Sequence, residues 1–331
     1  MTKIDIISGF LGAGKTTLIK KLISEKLGSE KLVIIENEFG EIGIDGSILK
    51  STNIEIREIN SGCICCTLVG DFGRAIEEVV TKYSPDRILI EPSGVGKLSD
   101  VIKACTALKS KEILEISMLI AVVDVLKYQL YISNFGEFYK NQISSAKTII
   151  LSRTQKADNN ELEKIVHSIR KLNAKANIIT TPWDSLSSDV IISVAEQDSS
   201  ATLDEKVKGT KKVILKRIVH HDNCKCGCNK EHSHNHSADE AFDSWSVETP
   251  KKYNETELKS ILEKLGNEKH YGMILRGKGI LQISENRWAQ FDYTPGEMEI
   301  KETTVDYTGR ICIIGRDLKE LEISKLFGCS A

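Results

Sequence analysis

The chain has 331 residues, a formal charge of −2, 40% hydrophobic and 28% charged residues, an ordinary soluble composition at a length that calls for two domains. Near-neutral charge gives no electrostatic reason for nucleic acid or an anionic membrane as partner, and the apolar run Met118 to Val123 is far too short to span a bilayer. With the first strand-like run beginning at once there is no room for a signal peptide, so the nine cysteines are expected to be reduced cytoplasmic thiols, suited to metal or redox chemistry instead of structural disulfides.

The first run, Ile4 to Ile7, leads into Gly9-Phe10-Leu11-Gly12-Ala13-Gly14-Lys15-Thr16, which fills every fixed position of the phosphate-binding pattern G-x-x-x-x-G-K-[ST]. The glycines let successive backbone N–H groups face a phosphate, and the helix that follows adds its positive N-terminal end. Lys15 is expected to reach the β- and γ-phosphates, and Thr16 to place its hydroxyl on magnesium. A Gly-rich strand-to-helix turn with a chance lysine is the alternative.

That helix runs over Thr17 to Leu27, with Leu18, Ile19, Leu22, Ile23 and Leu27 at helical spacing. Short Ile-, Leu- and Val-rich runs follow at Lys31 to Ile35, Arg87 to Ile90, Ile116 to Val123, Thr148 to Leu151 and Asn177 to Ile179, with a second helical pattern at Glu161 to Leu172. Strands of this kind are covered on both faces. The alternation predicts an α/β domain, a mostly parallel sheet with helices on both faces and its ligand at the carboxyl ends of the strands.

From about Gln197 to Asp239 the pattern breaks down into a polar linker with one strand-like run at Val213 to Val219. Beyond it the period changes. Strands are expected at Ser244 to Val247, Met273 to Arg276, Ile280 to Ser284, Trp288 to Phe291 and Ile311 to Ile314, with helices at Glu255 to Leu265 and Leu318 to Phe327. The organisation read from this is a P-loop domain over 1–200, a linker over 201–240 and a small α+β C-terminal domain over 241–331.

Two cysteine clusters carry further chemistry. Cys63-Ile64-Cys65-Cys66 places three thiols within four residues, ahead of a helix-like segment. Close thiolates are soft ligands, and tetrahedral zinc would keep a fourth position for another donor. Buried apolar cysteines and redox-sensing thiols are the other readings. The tract His220 to His236 holds five of the seven histidines and three of the nine cysteines, including Cys224, Cys226, Cys228, His232, His234 and His236. By composition it binds metal, in a flexible segment suited to capture and handover; a polar disordered insert is the alternative. The lone His167, His270, Cys105, Cys312 and Cys329 are read as structural.

Taken in order, the phosphate loop through Thr17, Glu36-Asn37-Glu38-Phe39-Gly40-Glu41-Ile42-Gly43-Ile44-Asp45, the Cys63 to Cys66 element and Ile90-Glu91-Pro92-Ser93-Gly94 resemble the CobW-like metallochaperone GTPases. The C-terminal stretch from Ala241 to Gly328 is similar to that family's second domain, without a sharp motif. The resemblance implies that Glu91 is a Walker B acid, holding magnesium through water or orienting the attacking water, and that Gly94 offers its N–H to the γ-phosphate. It implies that Glu36 to Asp45 form the first switch, from which Glu41, or Glu36 second, joins the cysteines on the metal. It implies GTP as the nucleotide. One departure stands out: where the family carries N/T-K-x-D after a strand, this chain has Ser152-Arg153-Thr154-Gln155, and Asp158 comes three residues late. Glutamine lacks the charge-assisted bond of aspartate to guanine, so base choice is expected to loosen.

The function so read is a GTP hydrolase that binds a transition metal, zinc first and cobalt second, at the C-x-C-C site and delivers it to a client metalloprotein. A P-loop ATPase or small-molecule kinase with redox-sensing cysteines is one rival, and a metal buffer without turnover is another. Maturation of a specific metalloenzyme or corrinoid system differs only in client. A homodimer is left open.

Overall fold

The computed structural model describes residues 1–36, 55–58, 69–109, 114–197, 242–284, 287–304, 306 and 308–329. The first part alternates strand and helix: β1 (Thr2–Gly9), α1 (Lys15–Glu25), β2 (Leu32–Glu36), β3 (Glu55–Glu58), α2 (Val69–Tyr83), β4 (Arg87–Glu91) and α3 (Leu98–Lys109). It continues through β5 (Leu114–Asp124), α4 (Tyr128–Asn134), α5 (Gly136–Ser145), β6 (Thr148–Ser152), α6 (Asn159–Leu172), β7 (Asn177–Ile179) and α7 (Ser188–Glu196). The strands form one seven-stranded parallel sheet in the order β3-β2-β4-β1-β5-β6-β7. This is the expected P-loop fold, with β1 at the point where the order reverses and its carboxyl end open to a ligand.

Each central strand is apolar on both faces because each face has its own layer of helices. Ile4, Ile6, Val33, Ile35, Ile88 and Ile90 point to one core with α2 to α6, whereas Ile7, Ile34, Leu89, Ile120 and Ile150 point to the other with α1 and α7. Asp5 is the exception. It is fully buried on β1 and pairs with Arg87 of β4, whose guanidinium also reaches Glu30 and Glu196. Burial pushes the Asp5 carboxyl up to about 6, against the pull of Arg87. Breaking a buried pair of this kind by removing one partner costs on the order of 3–5 kcal/mol.

The second part contains β8 (Asp243–Thr249), α8 (Glu255–Lys264), α9 (Glu268–Tyr271), β9 (Met273–Ser284), β10 (Arg287–Thr294), β11 (Glu297–Thr303), β12 (Gly309–Arg316) and α10 (Glu320–Phe327). Its strands make a separate five-stranded antiparallel sheet, β11-β10-β9-β12-β8. One face is covered by α8 and α10. The other packs on the first part, where Phe242 meets Phe10, Phe135 and Phe138 at ring separations of 6.0, 5.3 and 5.2 Å. Phe10 belongs to the Gly-rich loop, so the core that joins the two sheets also anchors that loop.

Several expectations are corrected. The two strands expected at Met273 to Arg276 and Ile280 to Ser284 are one strand that runs through Gly277-Lys278-Gly279. A Cβ at Gly279 would lie 2.2 Å from Cε1 of Phe291, so the glycine that reads as a break is the space the neighbouring ring occupies. α1 starts at Lys15 and closes at Glu25, before a short turn over Leu27–Ser29. The edge strands β3 and β11 were not expected, since Glu55-Ile56-Arg57-Glu58 and Glu297 to Thr303 have no apolar run; charged edges of this kind discourage further pairing. Cys105 and Cys312 are buried in the shared core, and burial pushes the Cys105 thiol up to about 12. The strand expected at Val213 to Val219 lies outside the described residues, and no described helix is long and apolar enough to cross a membrane.

Candidate functional site

The loop leaves β1 at Gly9 and enters α1 at Lys15, and Gly9, Gly12 and Gly14 take φ of 148°, 69° and 98°. Within it the Ala13 N–H donates to the carbonyl of Phe10 at 3.1 Å. Lys15 is 5% exposed and its Nζ stands 3.9 Å from Oε1 of Glu91, the last residue of β4. Thr16 donates its hydroxyl to the same carboxylate, at 3.1 and 3.2 Å to its two oxygens. Thr17 is exposed at the mouth. An ammonium, a hydroxyl, a carboxylate and the first turn of a helix thus converge, an arrangement able to hold a polyphosphate and a hard cation together.

The segment after β4 is pressed onto the loop. A Cβ at Gly94 would lie 2.7 Å from Leu11 Cδ2 and 3.0 Å from its backbone nitrogen, so only glycine allows this approach. Gln142 of α5, almost fully buried, donates from Nε2 to the carbonyls of Gly94 and Gly96 at 3.0 and 2.9 Å. No sequence signal marked it. Gln142→Leu leaves two buried carbonyls without those donors and is expected to lower the unfolding free energy by about 1–3 kcal/mol in urea denaturation; an unchanged midpoint and slope would remove the role given to this side chain.

Glu36 ends β2 directly opposite Glu91 in the parallel register and is 4% exposed. β3 stops alongside it, Glu58 facing Glu36, five positions before Cys63. Cys63, Cys65, Cys66 and Glu41, like Cys224, Cys226, Cys228, His232, His234 and His236, lie outside the described residues. Among the described residues no three His, Cys, Asp or Glu side chains group to hold a metal. Lys20, one turn along α1 and missed in the sequence, stands near both carboxylates. Burial lowers the pKa of its ammonium, and Lys301 of β11 acts in the same direction.

On the other side of the loop, Arg153 takes a left-handed φ of 58° after β6. Its Nη1 donates to the Gly12 carbonyl at 3.0 Å and to Oδ2 of Asp124 at 2.6 Å, and its Nη2 pairs with Glu297 at 3.0 Å. Asp124 ends the apolar run of β5 as Glu91 ends that of β4, a signal that was present and not used. Burial lifts its carboxyl while Arg153 and Lys127 pull it down. Lys127 Nζ bonds Thr294 Oγ1 at 2.5 Å. Thr294 and Glu297 come from the β10–β11 hairpin, so the second sheet helps wall a cavity of about 700 Å³ over Gly12 to Thr17. A smaller cavity of about 220 Å³ lies beyond Gly14, bordered by Ser152, Gln155 and Trp183. Ser152 is buried at the end of β6 and Gln155 is exposed.

Comparison with known proteins follows the same division. Residues 3–180 match the family described as CobW/HypB/UreG, nucleotide-binding domain, and residues 242–329 match the cobalamin synthesis protein cobW C-terminal domain. The chain is 31% identical to the zinc chaperone YeiR of Escherichia coli over 156 residues, covering 47% of this chain and 48% of that protein. It is 25% identical to zinc-regulated GTPase metalloprotein activator 1 of Schizosaccharomyces pombe over 350 aligned positions, covering 96% and 83%. The crystal structure of zinc-bound YjiA GTPase from E. coli is similar over 99% of this chain and 98% of that one, with 21% identity and a TM-score of 0.44. The match to YeiR spans about half of that relative's length. With residues 3–180, more than half of the chain, matched to the nucleotide-binding domain and the cobW C-terminal domain behind it, the chain belongs to the CobW/HypB/UreG family.

Proposed function

We propose that this chain is a GTP-hydrolysing metallochaperone that carries a transition metal, zinc first and cobalt second, at Cys63, Cys65 and Cys66 and hands it to a client metalloprotein. The observation that carries the reading is the convergence of Lys15, Thr16 and Glu91 at the carboxyl edge of the sheet. Relatives that bear the names zinc chaperone and zinc-regulated GTPase support the metal half. In this reading Lys15 and the first-turn amides of α1 hold the β- and γ-phosphates, joined by Gly9, Gly12, Ala13, Gly14 and Thr17 of the loop. The Thr16 hydroxyl and the Glu91 carboxylate are oxygen donors of the kind magnesium takes, and the ion would neutralise charge on the phosphate oxygens. Glu91 orients the attacking water, and Gly94, held against Leu11, offers its amide to the γ-phosphate.

The metal is cargo. Its cysteines follow a strand that ends beside Glu36, so a change at the γ-phosphate alters which carboxylate, Glu41 or Glu36, completes the ligand set. The tract around Cys224, Cys226, Cys228, His232, His234 and His236 sits in the linker over 201–240, between a nucleotide domain over 1–200 and a C-terminal domain over 241–331, where it captures metal for transfer. Zinc titration of the metal-free chain with a GTP analogue, with GDP and with no nucleotide tests the coupling. Affinity that differs between the first two is expected. Equal affinity in all three would end this reading.

A further inference from the structure

Guanine presents two donors on its Watson–Crick edge, N1–H and the 2-amino group, and a carboxylate accepts both. Adenine presents one donor beside an acceptor, which a carboxylate repels. After β6, where a carboxylate would serve this purpose, the chain has Gln155. The next acid, Asp158, is committed elsewhere: it caps α6, with Oδ1 accepting the Glu161 N–H at 2.8 Å.

A carboxylate reaches the same cavity from another strand. The loop that follows β7 brings Pro182, Trp183 and Asp184 to the 220 Å³ cavity, which Ser152 and Gln155 also line. That cavity shares Gly14, Thr17 and Arg153 with the larger one over the loop, so it lies within reach of the base of a nucleotide whose phosphates occupy the loop. The Trp183 ring lies against Gly14, its Cη2 2.8 Å from where a Cβ would stand, and supplies an aromatic wall suited to a purine. Asp184 is solvent-exposed beside it, and among the described residues no hydrogen bond or ion pair engages its carboxylate. The neighbouring Asp189 is by contrast paired to Lys26 at 2.9 Å.

We propose that Asp184, on the loop after β7, supplies the carboxylate that reads the guanine edge, in place of the aspartate that Gln155 replaces. This rests on the GTP reading above, and it restores the discrimination that Gln155 alone would loosen. The test is direct binding of GTP, XTP and ATP to the full-length wild type, D184N and Q155A. Wild type is expected to prefer GTP. In D184N the carboxamide offers one donor and one acceptor, which matches xanthine, with its C2 carbonyl beside N1–H. GTP should weaken by about tenfold or more and XTP tighten by a similar factor, with ATP unchanged. A purely structural role for Asp184 would not exchange GTP for XTP. An unchanged GTP-to-XTP ratio in D184N overturns the assignment, and loss of GTP preference in Q155A alone would move it to Gln155. Wild type that binds none of the three overturns the GTP reading itself, a result distinct from failure of Asp184.

Discussion

Lys15→Ala is expected to abolish nucleoside triphosphate hydrolysis, a loss of at least about a hundredfold, with the chain still folded. The ammonium is buried 3.9 Å from Glu91, at the first residue of α1, where the loop closes on whatever it holds. Lys20 does not replace it, because it lies more than one turn further along the helix, away from the first turn that the loop closes on. Alanine also deletes a buried stem, so Lys15→Met serves as the companion variant: it keeps the packing and lacks the charge. A loss shared by both belongs to the phosphates. Single-turnover hydrolysis with labelled GTP, alongside thermal unfolding, reads the result, and wild-type rates in either variant would remove the loop from the mechanism.

The second large effect separates the two regions proposed to bind metal. Replacing Cys63, Cys65 and Cys66 together by serine is expected to remove the nucleotide-dependent, roughly stoichiometric high-affinity metal, since thiolates are the strongest ligands available and serine hydroxyls are poor substitutes. Deletion of His220 to His236 should leave that site in place, lose only weaker additional equivalents and slow loading at limiting metal, because a tethered ligand-rich segment raises the local metal concentration available for transfer. Calorimetric titration of both variants, with and without a GTP analogue, distinguishes them. A nucleotide-dependent site that survives the triple change and vanishes with the tract would reverse the assignment.

Much of the fold was legible because it is written in local periods. The runs at Ile4, Lys31, Arg87, Ile116, Thr148 and Asn177 are strands buried on both faces, and their apolar side chains alternate between two helix layers. The Gly-rich loop, Glu91 at a strand end and the order of the motifs are likewise contiguous in the chain. Where a strand is polar, as in β3 and β11, or where glycine makes room for a distant ring, as at Gly279, the period carries no message and the element was missed or split.

What the sequence alone determined is therefore a Gly-rich loop with its lysine, its threonine and a carboxylate to meet them. Only the tertiary structure decided which residues surround it. Gln142 reaches Gly94 from 48 positions away, Arg153 binds the Gly12 carbonyl across 141, and Lys127 meets Thr294 across 167. The same holds for Asp184, whose strand lies at the edge of the sheet and whose loop turns back to the cavity beside Gly14. A pattern of residues reports the local backbone and the face it buries. Contacts between parallel strands and between two sheets depend on the order in which the chain packs them, and no neighbouring residue records that order.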